Sequence, residues 1–447
     1  MKKDEKKPKV VIVGGGFGGL RAAQTLGDKG CEVTLIDRTN HFIFQPLLYQ
    51  VATAVLSAGE VAVPIRRVLH RYKNEEVILG EVVGFDKEKR LVKLEAGTEI
   101  EFDYLIVAGG ARHSYFGHNE WERSAPGLKT LEDALEIRRR VLLAFEKAER
   151  EAILTGKHQP LVFVVIGGGP TGVELAGAIA GIASEALAKD FKAIDTREAR
   201  VLLFEGSPKI LGTFAPDLST SAEKQLRDLG VEVFLNSFVE QVELNRIKVG
   251  NDWIECSVAL WATGVAASPL ASLLGAKTDH AGRVLVEPDL SVPNYSNIFV
   301  IGDMAFLKDA NGVIVPGVSP AAMQEGEHAA KNILRDLRGE PRRAFRYINY
   351  GTMATIGRNK AIAEFGKWHY SGFVAWLMWL FVHIVLLVNF RNRLAVLSEW
   401  TWAYFTRERS ARLITGKASE LLSAKTMNEK AIAENGLLSK MKMTAKS

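Results

Sequence analysis

Cysteine is scarce in this 447-residue sequence, whose two cysteines are Cys31 and Cys256. They lie far apart, and neither belongs to a CxxC or CxxxxC motif. Disulfide frameworks, thiol relays and cysteine zinc sites need more thiols or closer spacing. The sequence therefore argues against all three. We expect no metal site, and a reducing compartment is the simplest setting.

Long apolar segments are also few. The N-terminus, MKKDEKKPK, is charged and leads directly into the first predicted strand, so we expect no secretory signal. The main apolar run, Gly372–Val388, has 17 residues and is interrupted by His383, whereas a membrane span usually takes about 20 residues. A membrane span there would also place the arginines that follow it outside the cytosol, whereas basic residues beside membrane spans are usually found on the cytoplasmic side.

The overall composition is that of a globular protein, with 47% hydrophobic and 24% charged residues. The length suggests two or three domains. Charge is unevenly distributed: from Tyr350 onward there are 14 Lys or Arg and 6 Asp or Glu, although the whole chain carries only +5. A basic C-terminal quarter on a slightly acidic body favours an anionic surface as partner.

Glycine is abundant, and its spacing carries the strongest signal. A short apolar strand is followed by a GxGxxG motif at Gly14, Gly16 and Gly19 and then by an apolar helical pattern. The first glycine makes a tight turn, the second admits a pyrophosphate, and the third lets the helix pack on the strand. The next strand ends in Asp37, where an acid can accept hydrogen bonds from ribose hydroxyls. This pattern predicts dinucleotide binding.

The same arrangement returns one domain later, at Gly167, Gly169 and Gly172, with Glu205 closing the following strand. Two matches, each with a trailing acid, indicate a duplicated dinucleotide fold with one cofactor in each copy. A carboxylate at Glu205 accepts from a ribose 2′-hydroxyl and repels a 2′-phosphate, and no arginine lies beside it. We therefore expect NADH rather than NADPH.

Two further segments allow alternative interpretations. A predicted strand delivers Asp303 to the sheet end where ligands bind, so this acid either reaches a cofactor or caps the helix that begins near Ser319. The segment Asn40–Ser57 is too apolar for a surface loop. It either packs on the first domain or lines an apolar pocket, and the pattern alone favours packing.

The C-terminal quarter predicts two helices lying in the plane of a membrane. The first is the apolar run and the second covers Ala395–Phe405, which is rich in aromatic residues. Such helices place aromatics at the interface and arginines toward lipid headgroups. A dimer interface is the competing interpretation, and both can hold together. Nucleic-acid binding is disfavoured because the aromatics cluster with aliphatics rather than following a basic groove.

These features together resemble one family, the type II (non-proton-pumping) NADH:quinone oxidoreductases among the flavoproteins with two dinucleotide-binding domains. The resemblance covers roughly Lys9 to Arg409. It depends on four segments: PLLYQVAT (Pro46–Thr53), GVSPAAMQEG (Gly317–Gly326), GTMATIGRNKAIAEF (Gly351–Phe365) and FRNRLAVLSEWTWAYFT (Phe390–Thr406). Two positions depart from the family pattern: Pro320 replaces a common glutamine, and Ala108-Gly109-Gly110 replaces a common ATG turn.

The resemblance implies an α/β fold with two Rossmann-like dinucleotide-binding domains, one inserted in the other, and a C-terminal amphipathic membrane-anchoring helical region. The predicted limits are 1–120 and 282–349 for the FAD-binding domain, 121–281 for the NADH-binding domain and 350–447 for the C-terminal region. The implied position is peripheral, on the cytoplasmic face of the inner (plasma) membrane, and the implied assembly is a homodimer.

The resemblance also assigns site residues. Non-covalent FAD binding is implied for Gly14, Gly16, Gly19, Asp37 and Asp303, and NADH binding for Gly167, Gly169, Gly172, Glu205, Thr263 and Gly264. The quinone pocket is implied for Gln45, Pro46, Leu48, Tyr49 and Gln324, which reverses the packing interpretation of that segment. Catalytic roles are implied for Glu174 and Gln324, and membrane contact for Trp376, Trp379, Trp400, Trp402, Arg391 and Arg393.

The implied activity is FAD-dependent oxidation of NADH with two-electron reduction of a membrane quinone. Disulfide reductases and sulfide:quinone oxidoreductases need reactive cysteines that this sequence lacks. Two alternatives remain. One is a membrane-associated NADH-binding flavoprotein sensor, and the other is a reductase for a different acceptor.

Overall fold

The computed structural model describes residues 7–309 and 312–415, and parallel sheets with packed helices form its framework. The first part of the chain contains β1 (Lys9–Val13), α1 (Phe17–Leu26), β2 (Glu32–Asp37), β3 (His41–Ile43), α2 (Leu48–Ala52), α3 (Ala58–Val61), β4 (Ala62–Pro64), α4 (Ile65–Leu69), β5 (Glu75–Leu79), β6 (Val82–Asp86), β7 (Leu91–Leu94), β8 (Glu99–Glu101), β9 (Tyr104–Val107), β10 (Ala111–His113) and α5 (Leu131–Thr155).

The second part contains β11 (Val162–Ile166), α6 (Pro170–Gly181), β12 (Arg200–Phe204), α7 (Pro216–Arg227), β13 (Val231–Phe234), β14 (Val239–Glu243), β15 (Arg246–Val249), β16 (Asp252–Glu255), β17 (Val258–Trp261), β18 (Val265–Ala267) and α8 (Leu270–Leu274). The remainder contains β19 (Val284–Leu285), β20 (Ser291–Val292), β21 (Tyr295–Val300), β22 (Ala305–Phe306), α9 (Ser319–Asp336), β23 (Thr352–Gly357), β24 (Lys360–Phe365), β25 (Trp368–Ser371), α10 (Phe373–Leu386) and α11 (Phe390–Thr406).

The two main sheets repeat one topology. The second sheet has the strand order β13-β12-β11-β17, and the first contains the corresponding order β5-β2-β1-β9, extended by β21 and β20. In both copies the strand before the glycine turn is central and pairs in parallel with its neighbours. Its side chains are almost fully buried, as expected for a strand covered by helices on both faces. The predicted duplication is therefore visible in the strand order.

The chain returns to the first sheet after completing the second. Strand β21 pairs in parallel with β9, while β6, β7 and β8 form a small antiparallel sheet. Helix α9 then packs against α1. These connections place the second sheet within the sequence of the first domain. The exact limits at 120, 281 and 349 stay a prediction.

The C-terminal region begins with an antiparallel sheet, β23-β24-β25, which packs on α6 and α7. The contact with α6 is between backbones, since a Cβ built on Gly177 would lie 1.8 Å from the carbonyl oxygen of Ile356. Helices α10 and α11 follow, joined near Asn389, which has a φ of +78°. The second helix begins five residues earlier than the predicted Ala395. Within residues 7–309 and 312–415, no helix has the length and apolar character required to cross a membrane.

Candidate functional site

The first glycine turn has the geometry that its spacing predicted. Gly14 has a φ of +102°, which L side chains rarely adopt, and a Cβ on Gly19 would lie 1.8 Å from the carbonyl oxygen of Gly14. A Cβ on Gly16 would meet no atom within 4 Å. The turn therefore leaves open space at the N-terminal end of α1, where backbone N–H groups and the helix dipole favour an anion.

The second turn repeats this geometry closely. Gly167 has a φ of +111°, a Cβ on Gly172 would lie 1.9 Å from the carbonyl oxygen of Gly167, and Gly169 faces open space. Thr263 lies beside the turn, because a Cβ on Gly167 would be 2.8 Å from the Thr263 Cβ. Gly264 follows with a φ of +74°. The predicted NADH residues are thus brought together at one end of the second sheet.

Each predicted ribose acid contacts its own glycine turn. Asp37 accepts hydrogen bonds from the backbone N–H of Gly15 (2.6 Å) and from Thr39, and Glu205 accepts from the backbone N–H of Gly168 (2.6 Å) and of Ser207 (2.7 Å). The carboxylates therefore brace the turns through the backbone. The sequence predicted that both acids accept hydrogen bonds from ribose hydroxyls, which stays a prediction, and it gave no sign of this bracing.

Helix α9 packs closely beside the first turn. Helix α9 lies against it so closely that a Cβ on Gly326 would be 2.1 Å from the carbonyl oxygen of Gly18. Asp303 lies nearby, with its carboxylate 3.6 Å from the Lys129 ammonium group. It does not cap α9, whose N-cap residue is Val318 and whose cap has no side-chain hydrogen bond. Helix α9 and Asp303 thus add to the surroundings of the first turn.

A large apolar cavity of about 690 Å³ lies between α2, α6, the β23–β24 hairpin and the two C-terminal helices. Aromatic and aliphatic side chains of α10 and α11, including Trp379 and Trp400, form much of its wall. The cavity also contains a few polar groups, among them Tyr49, Glu174 and Arg409. An apolar space with a few convergent polar groups is the usual form of a small-molecule site.

Burial changes the protonation of these polar groups. It raises the pKa of Glu174 to about 8, although a hydrogen bond from the Thr355 backbone acts in the opposite direction. It also raises the pKa of Tyr49, with a smaller contribution from the charge of Glu174. The pKa of Arg409 is lowered by burial to about 10. At neutral pH these three groups are therefore a protonated carboxyl, a neutral phenol and a cation.

Arg409 was missed by sequence reasoning. Its guanidinium donates to the backbone carbonyls of Thr53 (2.7 Å) and Ala178 (3.1 Å) and so joins the segment after α11 to α2 and α6. Among the residues that the structure describes, no carboxylate lies within salt-bridge distance of it. The signal that could have found it is its position, since it follows shortly after a helix rich in aromatic residues. The sequence predicted instead that the arginines of this region face lipid headgroups.

The predicted quinone-pocket residues are only partly gathered at this cavity. Tyr49 lines it, whereas Gln45, Pro46, Leu48 and Gln324 do not. Leu48 is packed in the core, and Gln45 donates to the carbonyl of Lys129 (3.3 Å), on the side of Asp303. The Gln324 amide pairs with the backbone of Ile348 at 2.9 and 3.0 Å. These four residues therefore lie outside the cavity wall.

The predicted membrane residues divide into two groups. Trp402 and Arg391 are exposed, and Trp376 and Trp400 are partly exposed. Trp379 is only 2% exposed, and its ring stacks on His383 with centroids 4.1 Å apart. Arg393 donates to the carbonyl of Leu387 at the end of α10. Trp379 and Arg393 thus stabilise the packing of the two helices.

Comparison with known proteins agrees with this architecture. Residues 8–328 match the family described as pyridine nucleotide-disulphide oxidoreductase, and residues 350–408 match the NDH2 C-terminal domain. The type II NADH:quinone oxidoreductase NdhA of Mycobacterium tuberculosis is 43% identical over 426 residues, covering 92% of this chain and 90% of the relative. A second enzyme of that organism, Ndh, is 41% identical over 425 residues, covering 92% and 91%.

A solved structure supports the fold independently. NDH2 from Plasmodium falciparum in complex with NADH has a TM-score of 0.82 at 20% identity, covering 92% of this chain and 100% of that chain. The duplicated sheets and paired glycine turns define the class, a pyridine-nucleotide oxidoreductase with two dinucleotide folds. Within that class, the chain belongs to the type II NADH:quinone oxidoreductase family. The resemblance and the fold class expected from the sequence are thereby confirmed.

Proposed function

We propose that the protein uses bound FAD to oxidise NADH and to reduce a membrane quinone by two electrons, without pumping protons. One observation carries the proposal. Helix α6 begins at the second glycine turn, and the side chain of Glu174 on that helix lines the apolar cavity. A single helix therefore connects the nucleotide turn with the cavity beneath the C-terminal helices.

The first turn is the proposed FAD site. Its open space at Gly16, the acid Asp37, and the enclosure by α9 with Asp303 fit a long dinucleotide that stays bound. When bound, FAD supplies an isoalloxazine ring that accepts a hydride from NADH and passes two electrons onward. The residues around the turn bind and orient it.

The second turn is the proposed NADH site, with Gly169 facing the pyrophosphate and Glu205 facing the ribose. Because a carboxylate repels a 2′-phosphate, NADH should reduce the flavin faster than NADPH. In a Glu205→Gln variant, we expect the ratio of kcat/KM for NADH over NADPH to fall by about 10-fold, the scale of one lost charge contact. Rapid-mixing measurements of flavin reduction with both nucleotides test this. An unchanged ratio would remove Glu205 from nucleotide selection.

The cavity is the proposed quinone site. Its aromatic wall suits an apolar ring and tail, while Tyr49, Glu174 and Arg409 can meet the quinone oxygens. Two-electron reduction of a quinone consumes two protons. Glu174 holds one at its carboxyl at neutral pH, because burial raises its pKa. Arg409 supplies positive charge near the oxygens that become negative during reduction.

The C-terminal helices are the proposed membrane-docking surface, on the cytoplasmic face. Phe381, Phe390 and Phe405 are 70%, 71% and 79% exposed. Exposed aromatic side chains of this size commonly mark an interaction surface. The cavity lies directly behind these helices, so a quinone dissolved in lipid would have a short path to it. A homodimer that uses part of the same surface remains compatible with this proposal.

A flotation assay tests the docking surface. We expect the wild-type protein to float with liposomes containing anionic lipids, and a variant with Phe381, Phe390 and Phe405 changed to serine to remain mostly in the soluble fraction. The matched control changes three exposed apolar residues elsewhere, Ile153, Leu244 and Val313, to serine. Equal flotation of all three proteins would contradict membrane docking through these helices.

Steady-state turnover distinguishes the proposed enzyme from its alternatives. Purified protein should oxidise NADH continuously when a soluble quinone is present. A flavoprotein sensor would bind NADH, or be reduced once, and then stop. A reductase for another acceptor would oxidise NADH continuously with that acceptor. It would not oxidise NADH with any of a set of quinones that differ in head group and tail length.

A further inference from the structure

Three polar side chains form a continuous hydrogen-bonded row along the cavity wall. The indole Nε1–H of Trp400 donates to Oε1 of Gln50 at 2.7 Å, and Nε2 of Gln50 donates to the hydroxyl oxygen of Tyr49 at 2.8 Å. Gln50 is 6% exposed and Tyr49 is 8% exposed. All three residues line the cavity.

The chemistry of the first donor fixes the direction of the whole row. An indole N–H can only donate, so the Gln50 oxygen must face Trp400 and the amide nitrogen must face Tyr49. The Tyr49 hydroxyl oxygen is then an acceptor toward Gln50. Its own hydrogen must point elsewhere, and among the described residues the hydroxyl donates to no other group.

The remaining direction for that hydrogen is the cavity. Of the groups facing Tyr49 from other elements, the charged or titratable ones that influence it are Glu174 on α6 and Arg409 after α11. The pKa of Tyr49 is raised by burial, so the hydroxyl keeps its hydrogen at every working pH. Serial hydrogen bonds also polarise one another, which strengthens the donor at the end of the row.

We propose that Gln50 is a positioning residue that, held by the Trp400 indole, presents the Tyr49 hydroxyl to the cavity as hydrogen-bond donor to a quinone carbonyl oxygen. This inference rests on the proposed quinone site. It makes one tryptophan of the proposed membrane-docking helix α11 part of the site. Trp400 also packs against the buried Trp379, with ring centroids 5.5 Å apart, so its position depends on both C-terminal helices.

A nearly isosteric substitution can reverse the polarity of the row. In a Gln50→Glu variant, the ionised carboxylate accepts from Trp400 on one oxygen and from Tyr49 on the other. The Tyr49 hydrogen is then turned away from the cavity. We expect kcat/KM for a soluble quinone to fall by about 10-fold, the scale of one directed hydrogen bond. The rate of flavin reduction by NADH is the internal reference, because general damage to the fold would lower it as well.

The pH dependence of quinone kcat/KM in Gln50→Glu distinguishes the proposed role from a purely structural one. Once protonated, the introduced carboxyl can accept from Trp400 and donate to Tyr49, as the amide does. The quinone kcat/KM of the variant should therefore recover toward the wild-type value as the pH falls. A profile parallel to the wild type at all pH values would overturn the proposal.

Further variants keep the test decisive. Trp400→Phe removes the indole donor and lets the Gln50 amide reverse, so quinone kcat/KM should fall by about 3-fold. The control Trp368→Phe, at an exposed site on β25, should cause no change.

In a Tyr49→Phe background, Gln50→Glu should add little further loss of quinone kcat/KM, because the hydroxyl that the carboxylate redirects is missing. If Gln50→Glu does not fold, the two tryptophan variants decide. Equal quinone kcat/KM values in Trp400→Phe and Trp368→Phe would refute the proposed role of the hydrogen-bonded row. Absence of quinone turnover in the wild type would refute the proposed function instead.

Discussion

Gly172→Ala is expected to destabilise the second nucleotide-binding unit strongly, whereas Gly169→Ala should leave its stability unchanged and weaken NADH binding. The added methyl group at Gly172 would lie 1.9 Å from the carbonyl oxygen of Gly167, so backbone must move. At Gly169 the same methyl group would enter open space. The two substitutions are chemically identical and three residues apart, which makes each the control for the other.

The expected magnitudes separate the two cases clearly. Overpacking typically costs about 1–3 kcal/mol, and contact with backbone atoms, which cannot rotate away, places Gly172→Ala at about 3 kcal/mol. For a unit of this size that corresponds to a fall in Tm of about 6 °C or more. We expect Gly172→Ala to lose NADH oxidation with that fall, and Gly169→Ala to keep its Tm while the KM for NADH rises by about 10-fold. An unchanged KM in Gly169→Ala would mean that the pyrophosphate does not bind at this turn.

The second large effect concerns the proton held in the cavity. Because burial raises the pKa of Glu174 to about 8, the carboxyl is protonated at neutral pH and loses its proton above about pH 8. If it supplies a proton to the quinone, wild-type turnover should fall as the pH rises through that value. Glu174→Gln keeps the shape and cannot release a proton, so turnover should fall by about 100-fold and lose this pH dependence.

The control for this prediction is Glu81→Gln, which removes an exposed carboxyl far from the cavity and should leave the pH profile unchanged. Flavin reduction by NADH should stay within about twofold of the wild-type rate in the Glu174 variant, since hydride transfer needs no acid. If quinone turnover in Glu174→Gln equals that of the wild type, the residue is a structural acceptor for the Thr355 backbone and not a proton source.

Local features of the fold could be predicted because local sterics decide them. The positive φ at Gly14 and Gly167 and the close approach at Gly19 and Gly172 follow directly from strand–turn–helix geometry. The central strand of each sheet was equally predictable, since its apolar run is too continuous for an exposed strand. These elements carry their information within a few consecutive residues.

The cavity could not be predicted in the same way, because its wall joins distant parts of the chain. Arg409 meets Thr53 across 356 positions, and Trp400 meets Gln50 across 350. The two interpretations of the PLLYQVAT segment, packing and lining, also both apply. Neighbouring residues of α2 face different ways, so Leu48 enters the core while Tyr49 reaches the cavity. A pattern of apolar residues cannot separate these outcomes.

The central claim is that one flavin is reduced by NADH at one site and reoxidised by quinone from the cavity. The most direct test is an anaerobic titration of the purified protein followed by the absorbance of its flavin. We predict that one equivalent of NADH bleaches the flavin and that one equivalent of quinone restores the oxidised spectrum. A flavin that NADH reduces but quinone leaves reduced, or a protein that binds no flavin, would contradict the account.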